Sequence, residues 1–270
     1  MVIRTMFGCS GHQLDHSPEG KTFKSGNSLQ CSGDLMLKAV LFDLDGTLLP
    51  LDDRFVETYF SLLAKKMSDH GYDPDLLLKT IWKALAAEAA NDGSVTNREM
   101  FWKVFSSVFG EDSIKDEPVF DEFYRNEFQK VKGVCSPTPK AKYIVDMLRS
   151  KGVKVILATN PIFPKVATDS RIRWAGMEPD DFDMYTTFED IGVSKPNLDY
   201  YRLIMERMGL DPKDCLMVGN DVSEDMVAEE LGMRVFLMDH YIINKDNADI
   251  SRYPTGNFDD LIDHLNGLLQ

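Results

Sequence analysis

Residues 40–48 of the chain are Val40-Leu41-Phe42-Asp43-Leu44-Asp45-Gly46-Thr47-Leu48. An unbroken apolar run leads into two carboxylates one residue apart and then into a Gly-Thr turn, which predicts a buried strand ending in charge. Carboxylates are costly to bury unless another group pairs with them or uses them. Because ligand crevices in open parallel sheets form at the carboxyl ends of the strands, Asp43 and Asp45 are candidate site residues.

The composition indicates a folded protein with a strong negative charge. Of its 270 residues 43% are hydrophobic, which is enough for one large domain or for a core with a second module. Lys and Arg total 30 against 44 Asp and Glu, which gives a net charge of -14. Such a surface repels nucleic acid and anionic membranes, so we expect neither as a partner. An anionic substrate must then be captured by local positive groups and a metal ion.

The sequence carries no sign of secretion or of a membrane span. No apolar stretch approaches the roughly 20 residues that a spanning helix needs, and the N-terminus lacks the apolar segment of a secretory signal. The four cysteines, at positions 9, 31, 135 and 215, lie far apart, as is typical of a reducing compartment. We therefore expect a cytoplasmic protein.

Residues 1–35 differ from the rest of the chain. They contain five Gly and five Ser, few large apolar residues and no periodicity, which predicts a flexible leader. The alternative is a zinc site made by Cys9, His12, His16 and Cys31, although their spacing matches none of the common structural zinc patterns.

Residues 54–132 have helical periodicity and no convincing strand. Apolar residues recur at spacings of three to four at Phe55, Tyr59, Leu62, Leu63, Leu77, Ile81, Trp82 and Leu85. Thr96 and Glu99 form a predicted capping box, and a last helix is expected over residues 119–131. We interpret the aromatic stripes as the core of a self-contained helical bundle, and a cofactor cleft inside the bundle is the alternative.

Helices and strands alternate after residue 138. The pattern predicts strands at 153–158, 184–187, 215–218 and 234–238 (the last of them the final core strand), and helices at 140–150, 164–174, 198–208 and 222–231. This alternation predicts an α/β fold, with a parallel sheet that has helices on both faces and an all-helical insertion after the first strand. We expect an α/β core made of residues 36–53 and 133–270 and a helical domain made of residues 54–132.

Three further polar segments lie just after strands or in loops of this core. They are Thr159-Asn160, Ser194-Lys195-Pro196 and Gly219-Asn220-Asp221-Val222-Ser223-Glu224-Asp225. Taken singly, each has an ordinary interpretation as a helix cap, a turn or a loop. Their order on successive crossovers indicates one site.

Together with Asp-x-Asp-Gly-Thr at residues 43–47, these segments resemble the four motifs of the haloacid dehalogenase (HAD) superfamily. The resemblance covers residues 36–270 and is closest to phosphoglycolate-phosphatase-like members. It implies a Rossmann-like core with an inserted C1-type helical cap. It also implies Mg-dependent hydrolysis of a small phosphorylated metabolite through an aspartyl-phosphate intermediate.

The resemblance also implies a role for each matching residue. Asp43 stands at the position of the nucleophile and Asp45 at that of the general acid/base, while Thr159 stands where a hydroxyl binds the transferring phosphoryl group. Lys195 matches the lysine of the third motif. The acidic cluster 219–225 matches the metal-binding fourth motif.

The implied chemistry is physically coherent. A carboxylate that attacks phosphorus divides one difficult displacement into two easier ones, and Mg²⁺ together with Lys195 offsets the repulsion between the two anions. Mg²⁺ would be held by Asp43, the carbonyl of Asp45 and an acid of the fourth motif. The Thr159 hydroxyl and the backbone N–H groups at positions 44 and 160 (Leu44 and Asn160) would stabilise the developing charge. Asp45 can protonate the leaving alcohol and then accept a proton from water.

The fourth motif departs from the usual pattern, because this chain has Gly-Asn-Asp where the family often has Gly-Asp. Either Asn220 takes the usual aspartate position, or Asp221 is the metal ligand. We expect Asp221, because aspartate is the better ligand for a hard cation. Asp225 is then a second ligand, or it holds Lys195 or a metal-bound water.

Two other functions remain open and one is disfavoured. Dehalogenases of this superfamily lack the second aspartate, so Asp45 argues against halide release. A sugar phosphomutase uses the same two aspartates, and a non-catalytic phosphate-binding relative would need none of the motif residues that are present here.

Overall fold

A computed structural model describes residues 37–51 and 54–270 of the chain. The predictions for residues 1–35, both the flexible leader and the zinc site, lie outside these described residues. Within the described part, no helix has the length and apolar character that crossing a membrane requires.

Six parallel strands form a single sheet in the order β3-β2-β1-β4-β5-β6. The strands are β1 (Ala39–Phe42), β2 (Lys154–Leu157), β3 (Met184–Tyr185), β4 (Cys215–Gly219), β5 (Arg234–Met238) and β6 (Thr255–Gly256). The central strands β1 and β4 are buried along their whole length, as their continuous apolar sequences predict for a sheet covered on both faces. The prediction of a parallel α/β core is confirmed.

In residues 37–51 and 54–270, eight α-helices surround or extend from this sheet. They are α1 (Arg54–Ser68), α2 (Pro74–Ala89), α3 (Asn97–Phe109), α4 (Glu117–Arg125), α5 (Pro139–Ser150), α6 (Lys165–Trp174), α7 (Leu198–Met208) and α8 (Phe258–Leu268). The capping box predicted at the start of α3 is present, with Thr96 and Glu99 bonded reciprocally. Short 3₁₀ helices occur at Glu111–Asp116, Glu127–Val134, Pro179–Asp181, Pro212–Asp214 and Met226–Leu231.

Two predicted helices have different bounds in the structure. The helix expected over 119–131 ends at Arg125, because the N–H of Asn126 bonds to two carbonyls of the preceding turn and a 3₁₀ helix follows. The helix expected over 222–231 begins only at Met226, because the side chain of Asp221 accepts hydrogen bonds from the backbone just after it and forms a turn there.

The end of the chain adds elements that the pattern did not predict. The final strand of the sheet is β6 and not 234–238, and α8 follows it. Because β6 has only two residues, it offers no periodicity to detect. The expected strand 184–187 is likewise reduced to two residues, Met184 and Tyr185.

The helical insertion leaves and rejoins the sheet domain at neighbouring positions. Leu51 and Cys135 form an antiparallel bridge, and the N–H of Ser136 donates to the carbonyl of Pro50 over 2.9 Å. All described residues between them belong to α1–α4, two 3₁₀ helices and connecting turns. The exact domain bounds, residues 54–132 against 36–53 and 133–270, stay a prediction.

The alternation of side chains along β1 divides the core into two clusters. Val40 and Phe42 join a cluster that contains α5, α8 and buried residues of α1–α4. Ala39 and Leu41 point to the other face of the sheet, against α7. The inserted helices are therefore packed as a continuation of one face of the sheet, next to the carboxyl end of β1.

Candidate active site

A buried lysine connects two carboxylates at the carboxyl ends of the central strands. Asp43 directly follows β1, and its N–H donates to the carbonyl of Val218 in β4 over 2.9 Å. Lys195, from the loop before α7, donates from Nζ to Asp43 Oδ1 over 3.0 Å and to Asp225 Oδ1 over 2.6 Å. Lys195 is only 2% exposed and Asp225 is fully buried. Three motifs that are distant in sequence thus meet in one hydrogen-bonded group.

Burial and charge oppose each other in this group. Burial raises the pKa of Asp43, while Lys195 acts to lower it. Burial likewise raises the pKa of Asp225 to about 7 against the effect of the lysine. Burial alone would lower the pKa of Lys195, but the two carboxylates raise it well above its usual value. The lysine therefore remains a permanent cation beside Asp43.

The second carboxylate, Asp45, has a partner that the motifs did not reveal. Arg171, in the middle of α6, is fully buried and forms an ion pair with Asp45 Oδ2. Its guanidinium also donates to the Thr168 hydroxyl over 3.2 Å and lies 4.2 Å from the centre of the Phe163 ring. Burial raises the pKa of Asp45, and Arg171 is the largest opposing influence. One oxygen of Asp45 is held, while Oδ1 has no hydrogen-bond partner among the described residues.

Thr159 and Asn160 follow β2 and lie against the same group. Thr159 is buried, and its carbonyl accepts a hydrogen bond from the Tyr200 hydroxyl over 2.9 Å. The side chain of Asn160 accepts from the Lys195 N–H over 2.9 Å and donates to Glu224 over 2.7 Å. Asn160 therefore fixes the lysine loop relative to the fourth motif. Among the predicted phosphate-binding groups, the buried Leu44 contributes a backbone hydrogen bond that acts to lower the pKa of its neighbour Asp43.

The fourth motif forms a tight turn around Asp221. Asp221 Oδ1 accepts three hydrogen bonds of 2.7–2.9 Å from the backbone and side chain of Ser223 and the backbone of Glu224. Its Oδ2 lies 4.0 Å from Lys245 Nζ, which is also 4.0 Å from Glu224 Oε1. Asp225 Oδ2 accepts from the Asp221 N–H over 3.0 Å. Both oxygens of Asp225 are therefore engaged within the protein.

Asn220 links the fourth motif to the turn of the first motif. Its Oδ1 accepts from the Thr47 hydroxyl over 2.9 Å, and its Nδ2 donates to the carbonyl of Tyr241 over 2.9 Å. Gly46 has φ +85°, and a Cβ at that position would lie 2.5 Å from Asn220 Nδ2. Glycine is required here because a side chain would both strain the turn and collide with Asn220.

The donor set fits a hard divalent cation. Asp43, Asp221, Glu224 and Asp225 all border one cavity, and burial raises the pKa of Glu224 to about 8. Among the described residues, Glu224 Oε1 is buried without a hydrogen-bond partner. In the same ranges, no cluster of three or more His, Cys, Asp or Glu is placed to hold a metal ion. Mg²⁺ keeps several waters and needs only one or two carboxylates, so it does not require such a cluster.

A cavity of about 170 Å³ lies between these strand ends and the inserted helices. Asp43, Asp45 and Thr159 line its floor together with Asp221 and other residues of the fourth motif. The structure thus brings together residues from all four motifs. It also adds Arg171, Glu224 and Lys245, which the sequence analysis did not assign.

Comparisons with known proteins agree with this architecture. The sequence model described as a haloacid dehalogenase-like hydrolase matches residues 37–232. A curated glyceraldehyde 3-phosphate phosphatase from Methanothermobacter thermautotrophicus is 29% identical over 224 residues, covering 80% of this chain and 92% of the relative. The protein of the same name from Methanocaldococcus jannaschii is 27% identical over 238 residues, covering 86% and 99%.

Solved structures show the same fold. The crystal structure of a HAD phosphatase from Thermococcus onnurineus superposes with a TM-score of 0.54 at 22% identity, and the match covers 85% of this chain and 98% of that one. The family model and the curated relatives confirm the resemblance carried by the motifs. Because the family's sequence model spans well over half of its length, the chain belongs to the haloacid dehalogenase-like hydrolases.

Proposed function

We propose that the chain is a Mg-dependent phosphatase that hydrolyses a small phosphorylated metabolite through an aspartyl-phosphate at Asp43. The observation that carries this proposal is the hydrogen-bonded group in which Lys195 lies 3.0 Å from Asp43, with Asp45 two residues further along the chain. A carboxylate held beside a buried cation suits attack on an anionic phosphoryl group. The curated relatives named above are themselves phosphatases.

In the first half-reaction, a carboxylate oxygen of Asp43 forms a bond to phosphorus while the bond from phosphorus to the ester oxygen breaks. Asp45 gives its proton to the departing alkoxide. In the second half-reaction, water attacks the phosphorus of the aspartyl-phosphate and Asp45 accepts the water proton. The bond from Asp43 to phosphorus breaks, which regenerates the Asp43 carboxylate and releases inorganic phosphate. Lys195, the Thr159 hydroxyl and the backbone N–H groups of residues 44 and 160 stabilise the phosphoryl oxygens in both steps.

A bound Mg²⁺ would supply positive charge that reduces the repulsion between substrate and nucleophile. The carboxylates of Asp43 and Asp221 and the carbonyl of Asp45 would hold it. Because both oxygens of Asp225 already accept hydrogen bonds, the contacts favour a role for Asp225 in positioning Lys195. In this proposal, residues 54–132 are the cap that covers the site.

The experiment that tests the function is phosphate release with and without metal. We expect EDTA to lower turnover of a generic monoester by a factor on the order of 100, since a bound cation contributes several kcal/mol of charge stabilisation. Added Mg²⁺ should restore turnover. Activity that survives chelation would refute the metal assignment, and an isomerised sugar phosphate in place of free phosphate would identify a mutase.

The metal-ligand position can be tested by comparing Asp221→Asn with Asn220→Ala. We expect Asp221→Asn to raise the Mg²⁺ concentration for half-maximal activity by at least about tenfold, because a charged ligand becomes neutral. Asn220→Ala should mainly lower thermal stability, since it removes bonds to Thr47 and Tyr241. Mg²⁺ titrations and thermal melts distinguish the two effects. The opposite ranking in Mg²⁺ dependence would assign the ligand to Asn220.

Arg171 is expected to act by positioning Asp45. Arg171→Lys retains a cation but loses the planar fork, so we expect kcat to fall roughly 10- to 100-fold with little change in KM. Steady-state kinetics give both parameters, and a thermal melt checks that the variant is folded. An unchanged kcat in a folded variant would show that the ion pair is structural only.

A further inference from the structure

The face of the cavity opposite the carboxylates is aromatic. Rings from three inserted helices line it, namely Tyr59 and Phe60 of α1, Phe101 and Trp102 of α3, and Phe120 and Tyr124 of α4. The periodicity of such rings predicts the core of a self-contained bundle, and Phe105 and Phe123 are fully buried as in such a core. The six rings named here also form the surface that faces the leaving group of a substrate whose phosphoryl group lies at Asp43.

This aromatic face carries no cation. Of the described residues that line the cavity, Lys245 is the one Lys or Arg, and it lies on the opposite side beside Asp221 and Glu224. The charged groups that the inserted helices contribute to the lining are Glu117 and Asp121. A carboxylate on the leaving group would therefore lose its hydration against apolar rings without gaining a cation, which disfavours its binding.

The acidic residues of this face give a cationic leaving group only a weak attraction. Glu117 is paired with Arg98, whose Nε donates to it over 2.6 Å. Asp121 is partly exposed, so solvent screens its charge.

The size of the cavity limits the leaving group further. Its volume of about 170 Å³ has to hold the phosphoryl group as well as the leaving group, so only a small leaving group fits. Aromatic rings also prefer offset-stacked or edge-to-face contact with other rings, which adds to the gain from burial. A single aromatic ring suits this lining.

We infer that the substrate is the phosphate monoester of an alcohol bearing an uncharged aromatic ring. This inference rests on the proposed phosphatase activity. The ring occupies the space between the aromatic side chains. The site is thus a poor match for a short carboxylated substrate such as phosphoglycolate.

The test compares monoesters of primary alcohols, whose leaving groups have similar reactivity. We expect kcat/KM for benzyl phosphate to exceed that for propyl phosphate by about 10- to 100-fold, the ratio that burial of a ring provides. Phosphoglycolate should be the poorest substrate. Phosphoglycolate or phosphocholine equal to or better than benzyl phosphate would overturn the inference. No phosphate release from any ester would instead refute the proposed function.

Discussion

Asp43→Asn is expected to reduce phosphate release by a factor on the order of 10⁴ or more, as removal of a nucleophile does in other covalent hydrolases. The amide has nearly the size of the carboxylate, but it cannot attack phosphorus. Because burial raises the pKa of Asp43, a neutral side chain there does not oppose folding. Lys195 also keeps its contact with Asp225 at 2.6 Å. We therefore expect an inactive protein with a thermal midpoint close to that of the parent.

Initial rates of phosphate release and a thermal melt measure both parts of this expectation. Asp199→Asn is a suitable control, since Asp199 is an exposed residue at the start of α7 that pairs with Arg202. The control should keep full activity. Near-normal turnover in Asp43→Asn would rule out the covalent route.

Lys195→Met is expected to lose both activity and stability. The variant leaves Asp43 and the fully buried Asp225 without their shared cation, and removing one partner of a buried ion pair costs about 3–5 kcal/mol. Turnover should be lost as well, because the cation that contacts Asp43 over 3.0 Å is then gone. Denaturant unfolding at constant pH measures the change in the free energy of unfolding.

The loss of stability should depend on pH in a defined direction. Burial raises the pKa of Asp43 and of Asp225, the latter to about 7, so each carboxyl favours folding most when it is protonated. The free energy of unfolding therefore falls as pH rises from the unfolded-state pKa, near 3.8, through the folded-state pKa. The loss of stability caused by Lys195→Met should accordingly be larger at pH 8 than at pH 5. Adding Asp225→Asn to Lys195→Met should recover part of the lost stability. A loss of stability that is equal at pH 5 and pH 8 would argue against the charge explanation.

The strands that define the fold could be predicted because their sequences carry the signal locally. The apolar runs that became β1 and β4 are continuous and sit directly before polar motifs. The break at Asn126 could not be predicted from periodicity, because it depends on which carbonyls one N–H reaches. The start of α8 did have a local signal, a capping box between Asn257 and Asp260, that periodicity alone did not use.

The site residues likewise divide into those that the sequence predicts and those that it does not. Asp43, Thr159 and the fourth motif follow strands, and parallel strand ends necessarily meet at one edge of a sheet. Arg171 lies in the middle of a helix. Nothing in the sequence around it distinguishes it from an arginine that faces solvent. Its burial against Asp45 depends on how α6 packs over the first motif, which is a tertiary property.

The antiparallel bridge between Leu51 and Cys135 has a consequence for how such enzymes diversify. The two ends of the inserted segment are held side by side by the sheet domain itself, with Pro50 and Ser136 also hydrogen-bonded. An exchanged segment of another length and sequence can join at these two points without changing the register of any strand. Substrate preference can therefore evolve, or be transferred between relatives, by exchange of the inserted segment alone, while the reacting groups stay in place.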